Sequence, residues 1–162
     1  MNASREGLLQ PTLGSDAQPV AAPYSVQATF FTGFFGGPLA AIALIATNTF
    51  RLRRLGRDWP VLAACLIGAT FTVWALHGSA PAFAPIRDWL TGTLGQSSYR
   101  FAHRFVALII VGVGYLLHRR EQRNTDVFGL SRPNGWIAGA LCAVGGTALQ
   151  AALVAIVFGG SR

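Results

Sequence analysis

The sequence predicts an all-α, polytopic membrane protein of four transmembrane helices, with a short interfacial helix between helices 2 and 3. Two observations carry that class. Of 162 residues, 52% are hydrophobic and only 12% are charged, too few polar groups to cover a soluble globule. The stretches 28–50, 59–76, 105–117 and 133–161 contain no Asp, Glu, Lys or Arg, while arginines crowd the segments between them. Arg51, Arg53, Arg54 and Arg57 cannot sit in hydrocarbon, so the apolar blocks on either side must both end there.

Residues 1–24 are rich in Pro, Ser, Gln and Ala without periodicity and read as an extended or disordered tail ahead of a membrane domain over 25–160. The tail lacks an apolar core near its start, so no cleavable signal peptide is expected. Ser25 is placed to cap the first span, which runs from Val26 to about Phe50 and is long enough to cross a core of about 30 Å with some tilt. Pro38 lacks an amide hydrogen and crowds the carbonyl four residues back, which predicts a kink near Phe34. Gly33, Gly37 and Ala41 form a stripe of small residues that lets another helix approach. Asn48 and Thr49 are expected to cap the inner end.

The second span opens at Trp59, with Pro60 in its first turn, and closes at His77 and Gly78. Residues 79–98 are too polar and proline-rich to span. Ile86, Trp89, Leu90 and Leu94 nonetheless fall near helical spacing after Pro85, which predicts the short interfacial helix. The third span runs from Tyr99 to Leu117 and ends at His118, Arg119 and Arg120. The fourth, from Asn134 to about Phe158, carries Gly139, Ala143, Thr147 and Ala151 four apart, which predicts tight packing on another helix or on a partner subunit. With four spans, the two arginine-rich connectors share one side, the cytoplasmic one by the positive-inside bias, and both termini lie outside.

The formal charge of +7 does not point to nucleic acid, because all thirteen cations are arginines placed mostly beside apolar segments rather than along one helix face. Their expected partners are the bilayer and the anionic lipid at its surface. Cys65 and Cys142 fall inside spans and imply no disulfide framework.

Spans without an acidic or basic residue argue against proton- or cation-coupled transport, which needs an ionisable group at mid-membrane. The glutamate of small four-span exporters is missing. So is the Glu-Arg pattern of four-span glutathione-linked enzymes. No catalytic or metal-binding set stands out.

The candidate cofactor-binding set is His77 with Arg100, His103 and Arg104. The last three are spaced i, i+3, i+4 and share a helix face at the depth where His77 ends the second span. Two imidazoles at equal depth could ligate a b-type haem, with arginines on its propionates, or hold a quinone head or a lipid phosphate. The ordinary expectation is that such residues are comfortable at an interface with no cofactor at all, their apolar stems in lipid and their polar heads in water. Gln150 is the one strongly polar side chain deep in a span and predicts a hydrogen bond between helices or subunits.

Tyr24-Ser25, Phe35-Gly36-Gly37-Pro38-Leu39-Ala40, Asn48 and the basic Leu55-Gly56 turn resemble a group of small bacterial membrane proteins sharing these elements. The resemblance covers the first third of the chain, implies a bacterial inner-membrane location and carries no activity. The functional expectation is a non-catalytic subunit, scaffold or assembly factor of a larger inner-membrane complex, docking through the stripes at Gly33, Gly37, Ala41 and at Gly139, Ala143, Thr147, Ala151. A haem- or quinone-binding redox protein using His77 and His103 is the alternative, and a small pore or carrier for a neutral or lipidic substrate the third.

Overall fold

A computed structural model of the chain describes residues 21–127 and 129–158, so most of the tail and the last four residues lie outside it. The described residues form five α-helices: α1 (Val26–Arg51), α2 (Leu55–His77), α3 (Ala84–Leu94), α4 (Ser98–Val127) and α5 (Gly135–Phe158). By residue count and composition alone, four helical stretches are long and apolar enough to cross a membrane, namely Val26–Arg51, Leu55–His77, Pro81–Val127 and Gly135–Ile156. The architecture is a helical bundle, and α1 is its most enclosed member.

The first helix is not one rod. Gly37 breaks it at φ 78°, ψ −170°, a backbone region open essentially to glycine alone, and Pro38 disfavours helical geometry in the residue before it. The chain reverses there, so the kink expected near Phe34 is a fold-back three residues later. Its two arms, 26–36 and 38–51, lie side by side. A Cβ built on Gly33 would stand 3.3 Å from that of Ala41. At the feet, the Tyr24 N–H donates to Asn48 Oδ1 at 2.7 Å, and the Arg51 guanidinium lies 4.9 Å from the centre of the Tyr24 ring. At a rise of 1.5 Å per residue the arms are about 16 Å and 21 Å long, short of a hydrocarbon core of about 30 Å. A helical hairpin with both feet at the arginine-rich end is therefore clasped by α2, α4 and α5.

The small-residue stripe of α5 packs on this hairpin. Along the first arm, Ala28 meets Gly135, Thr32 meets Gly139 and Gly36 meets Ala143, and Gly146 lies against the backbone of Ala40 on the second arm. Gly33 packs on Val111, and Gly114 on Ile45 of the second arm. Gly33, Gly37, Ala41, Gly139 and Ala143 are engaged within the chain, the small residues permitting backbone approach where lipid supplies no hydrophobic drive, while the exposed Thr147 reaches the Gly36 carbonyl at 3.5 Å. Ala151 is exposed as well.

Four further expectations change, and one holds. The Ser25 hydroxyl does cap α1, accepting from the Ala28 N–H at 3.2 Å. Asn48 and Thr49 do not cap its far end; both are buried and reach across to Tyr24 and His118. Helix α2 begins at Leu55, four residues before Trp59, which puts Pro60 in its second turn. The interfacial helix does not stand apart: α3 follows α2 through Gly78–Ala80 and one 3-10 turn, and the 3-10 turn Gly95–Ser97 joins it to α4, so that Pro81–Val127 is one joined helical stretch with a break at Gly95 (φ 63°). Arg87 anchors its start by donating to the carbonyls of Ala75 and Ala80 at 3.2 and 3.3 Å. Nor does α4 stop at His118; it runs on to Val127, carrying Glu121, Gln122 and Thr125 onto the feet of the hairpin.

The fold-back moves Tyr24 to the arginine-rich end, whereas Val154 and Ala155 of α5 lie with Arg100 and His103 at the other. The two ends of the described chain thus lie at opposite ends of the bundle. In a background lacking Cys65 and Cys142, Gln27→Cys and Phe50→Cys should react from the same face of a sealed vesicle with a membrane-impermeant maleimide, and Ser79→Cys from the opposite face. Labelling of residues 27 and 50 from opposite faces would mean that α1 crosses as a single rod.

Candidate functional site

The tip of the hairpin opens into a cleft of about 680 Å³, lined by Phe34, Phe35, Gly36, Gly37, His77, Gln96, Tyr99, Arg100, His103, Arg104, Thr147, Gln150 and Ala151, with Val154 and Ala155. Each wall has a sequence reason. The Gly37–Pro38 reversal brings bare backbone to the floor. The i, i+3, i+4 spacing turns Arg100, His103 and Arg104 to one side of α4, and Tyr99, four before His103, shares that side. His77 is the last residue of α2, and Gln150 reaches in from α5.

The two imidazoles meet nitrogen to nitrogen, His77 Nε2 and His103 Nε2 lying 3.3 Å apart. Their ring centres are 5.6 Å apart and their planes 17° from parallel, which places the rings end to end rather than face to face. One Nε2 carries the shared proton and the other accepts it, so two neutral rings must be in opposite tautomers. Tyr99 lies over His77 with its ring centre at 5.3 Å. His103 is only 8% exposed, and its Nδ1 is buried with no hydrogen-bond partner among the described residues. The guanidinium of Arg104 sits over the Phe34 ring, 4.9 Å from its centre, a cation–π contact that ties α4 to the hairpin tip. Gln150 lies against the reversal itself: a Cβ at Gly37 would stand 3.0 Å from its Oε1. No carboxylate lines the cleft.

Residues nominated from the sequence for two unrelated reasons thus share one site. His77, Arg100, His103 and Arg104 form a candidate ligand set, and Gly37, Gln150, Thr147 and Ala151 belong to a candidate interface. Gly33, Ala41, Gly139 and Ala143 pack below the cleft and do not line it. The wall residues Phe34, Phe35, Gln96 and Tyr99 are not singled out by sequence reasoning; the i, i+4 relation of Tyr99 to His103 is the available signal.

The cleft can offer hydrogen-bond donors from two arginines, two amides and an imidazole against aromatic and aliphatic walls. The haem reading fares worse. With metal–imidazole bonds of about 2 Å, an iron would hold the two nitrogens about 4 Å apart with the macrocycle between them. Here the rings are in direct hydrogen-bond contact, Tyr99 covers one and the other is buried, so the residues as placed do not fit that group. Among the described residues no cluster of three or more His, Cys, Asp or Glu could hold a metal ion.

A second polar cluster lies at the opposite end, under the feet of the hairpin. Asp58, His118, Gln122, Thr125, Asn48 and Thr49 are all buried. Thr49 Oγ1 and His118 Nε2 are hydrogen-bonded at 3.1 Å, and His118 Nε2 is 3.8 Å from Asp58 Oδ2. Arg54 pairs with Glu121 and lies 3.4 Å from Asp58, while Gln122 donates to the Tyr24 carbonyl at 2.8 Å. His118, expected as a simple helix-end residue, is therefore an interior link between α1, α2 and α4.

No protein-family model matches the chain, and no curated protein or solved structure matches it either.

Proposed function

We propose that the protein binds the carbonyl-bearing ring of a quinone-type amphipathic ligand in the cleft at the hairpin tip. The observation that carries this reading is the convergence of His77, His103, Arg104, Gln150 and the Gly37 backbone on one cleft with aromatic walls and no carboxylate. A quinone head presents acceptor oxygens on a flat ring, and these donors and the rings of Phe34, Phe35 and Tyr99 complement both features. The cleft volume falls in the range of small-ligand sites, about 300–1,000 Å³. An apolar tail would leave along Val154 and Ala155 into lipid.

The arginine distribution supports an orientation within a bacterial inner membrane. Arg51, Arg53, Arg54, Arg57, Arg119, Arg120, Arg123 and Arg132 gather toward the hairpin feet, against Arg87, Arg100 and Arg104 toward the cleft. By the positive-inside bias the feet face the cytoplasm, along with Tyr24, and the cleft opens on the outer side. Protein purified in mild detergent from its native membrane should then carry near-stoichiometric quinone, detectable after solvent extraction, and His103→Ala with Gln150→Ala should lose most of it. Wild type without quinone, or an unchanged amount in the double variant, would remove the reading.

A second reading is favoured by the broken helix. Non-helical backbone at membrane depth is tolerated where it is buried in protein or lines a cavity, and discontinuous helices are a common way of building substrate sites in carriers. A pore or carrier for a neutral or lipidic substrate would use the same cleft, and flux into proteoliposomes would distinguish it from static binding. The scaffold or complex-subunit reading drew its support from the small-residue stripes, and with those packed inside the chain it has less behind it than the cleft.

A further inference from the structure

We propose that the arginine-lined cleft between the start of α2 and the far half of α4 binds the phosphate of an anionic phospholipid headgroup. This site lies at the opposite end of the bundle from the hairpin tip and does not depend on what occupies the tip. Its volume is about 440 Å³, and its lining brings Arg54, Arg57, Arg119, Arg120 and Arg123 around a single carboxylate, Glu121, with Leu116 and Leu117 at its apolar edge.

These cations differ from one another in what neutralises them. Arg54 is engaged by Glu121 and Asp58, and Arg57 by Asp58 at 3.3 Å. Arg119, Arg120 and Arg123 make no ion pair among the described residues, and all three are exposed on the helix that forms one wall. They occupy positions i, i+1 and i+4, so Arg119 and Arg123 stand one above the other with Arg120 beside them. A phosphate oxygen fork matches the planar guanidinium geometry, which is why arginine is preferred at such sites. Basic pockets between transmembrane helices at the membrane surface hold lipid head groups by this chemistry.

The source of the phosphate is set by the apolar edge. Leu116 is 68% exposed and lies one turn of α4 before Arg120, on the side that continues into the hydrocarbon-facing surface. An acyl chain would run along Leu116 while its phosphate reached the arginines; a soluble phosphate compound would leave that leucine without a role.

Native mass spectrometry of the full chain in mild detergent, titrated with phosphatidylglycerol or with phosphatidylcholine, tests the proposal. Phosphatidylglycerol should be retained in preference to phosphatidylcholine, and each arginine removed should weaken that retention about fivefold. The triple variant Arg119→Gln, Arg120→Gln, Arg123→Gln should lose the preference. All three substituted residues are exposed, so the fold is expected to survive, and an unchanged circular dichroism spectrum checks this. Equal retention of both lipids by wild type, or an undiminished preference in the triple variant, would overturn the proposal. Displacement of the lipid by millimolar inorganic phosphate would overturn its lipid source and assign the cleft to a soluble phosphate compound.

Discussion

Gly146→Val is expected to destabilise the bundle by about 3 kcal/mol, at the upper end of the usual range for overpacking, while Gly145→Val beside it stays within about 0.5 kcal/mol of wild type. The two glycines are neighbours on α5 with different surroundings. A Cβ at Gly146 would stand 2.6 Å from the backbone nitrogen of Ala40 and 2.7 Å from its Cα. Neither atom belongs to a flexible side chain, so relief requires α5 to move away from the hairpin, losing the contacts of Gly139 and Ala143 as well. A Cβ at Gly145 meets nothing within 4 Å. Thermal unfolding in mild detergent, followed by circular dichroism and by the monomer fraction on size exclusion, separates the two. Equal midpoints for both variants would show that α5 does not rest on the second arm at this depth.

That pair also marks what the sequence could and could not yield. Apolar blocks free of charge and bounded by arginines are a matter of composition, and the helical character of all four comes from it. The stripes of small residues were legible for the same reason: spacing of four puts them on one face. Which partner a stripe meets is not a property of spacing. Gly139 and Ala143 could face another chain or this one, and the answer turns on a single residue, Gly37, whose backbone decides whether 26–51 crosses the membrane or turns back. A Gly-Pro step in a long apolar segment reads equally as a kink. The near-symmetric small residues about it, Gly33 and Ala41, with polar Asn48 and Thr49 far along the second arm, were the signs of two short arms.

The candidate site divides in the same way. His77, Arg100, His103 and Arg104 could be found because helix periodicity and helix ends set their depth. Gln150 and Gly37 joined them only through the fold-back. The buried cluster at the feet is hidden in the sequence because Asp58 and His118 sit beside arginines, where exposed charge is the ordinary state; burial comes from α4 continuing past His118 and covering them.

Asp58→Ala is expected to cost about 3 kcal/mol, at the low end of the range for removing one member of a buried ion pair. The Asp58 side chain is 2% exposed and takes up the charge of Arg54 and Arg57, with His118 a further neighbour. Arg54 keeps Glu121 and is 16% exposed, so part of its charge remains compensated, which holds the cost low in that range. The loss should be nearly insensitive to salt, because buried pairs are screened far less than surface ones. Adding His118→Leu to Asp58→Ala tests the link directly. If the cluster acts as a unit holding α2 and α4 to Thr49 on the hairpin, the double variant loses less than the two single losses combined, since each removes the same connection. Strict additivity, or an Asp58→Ala midpoint equal to wild type, would mean that the feet of the hairpin are held by packing and the Tyr24–Asn48 contact alone, with the carboxylate a bystander among arginines.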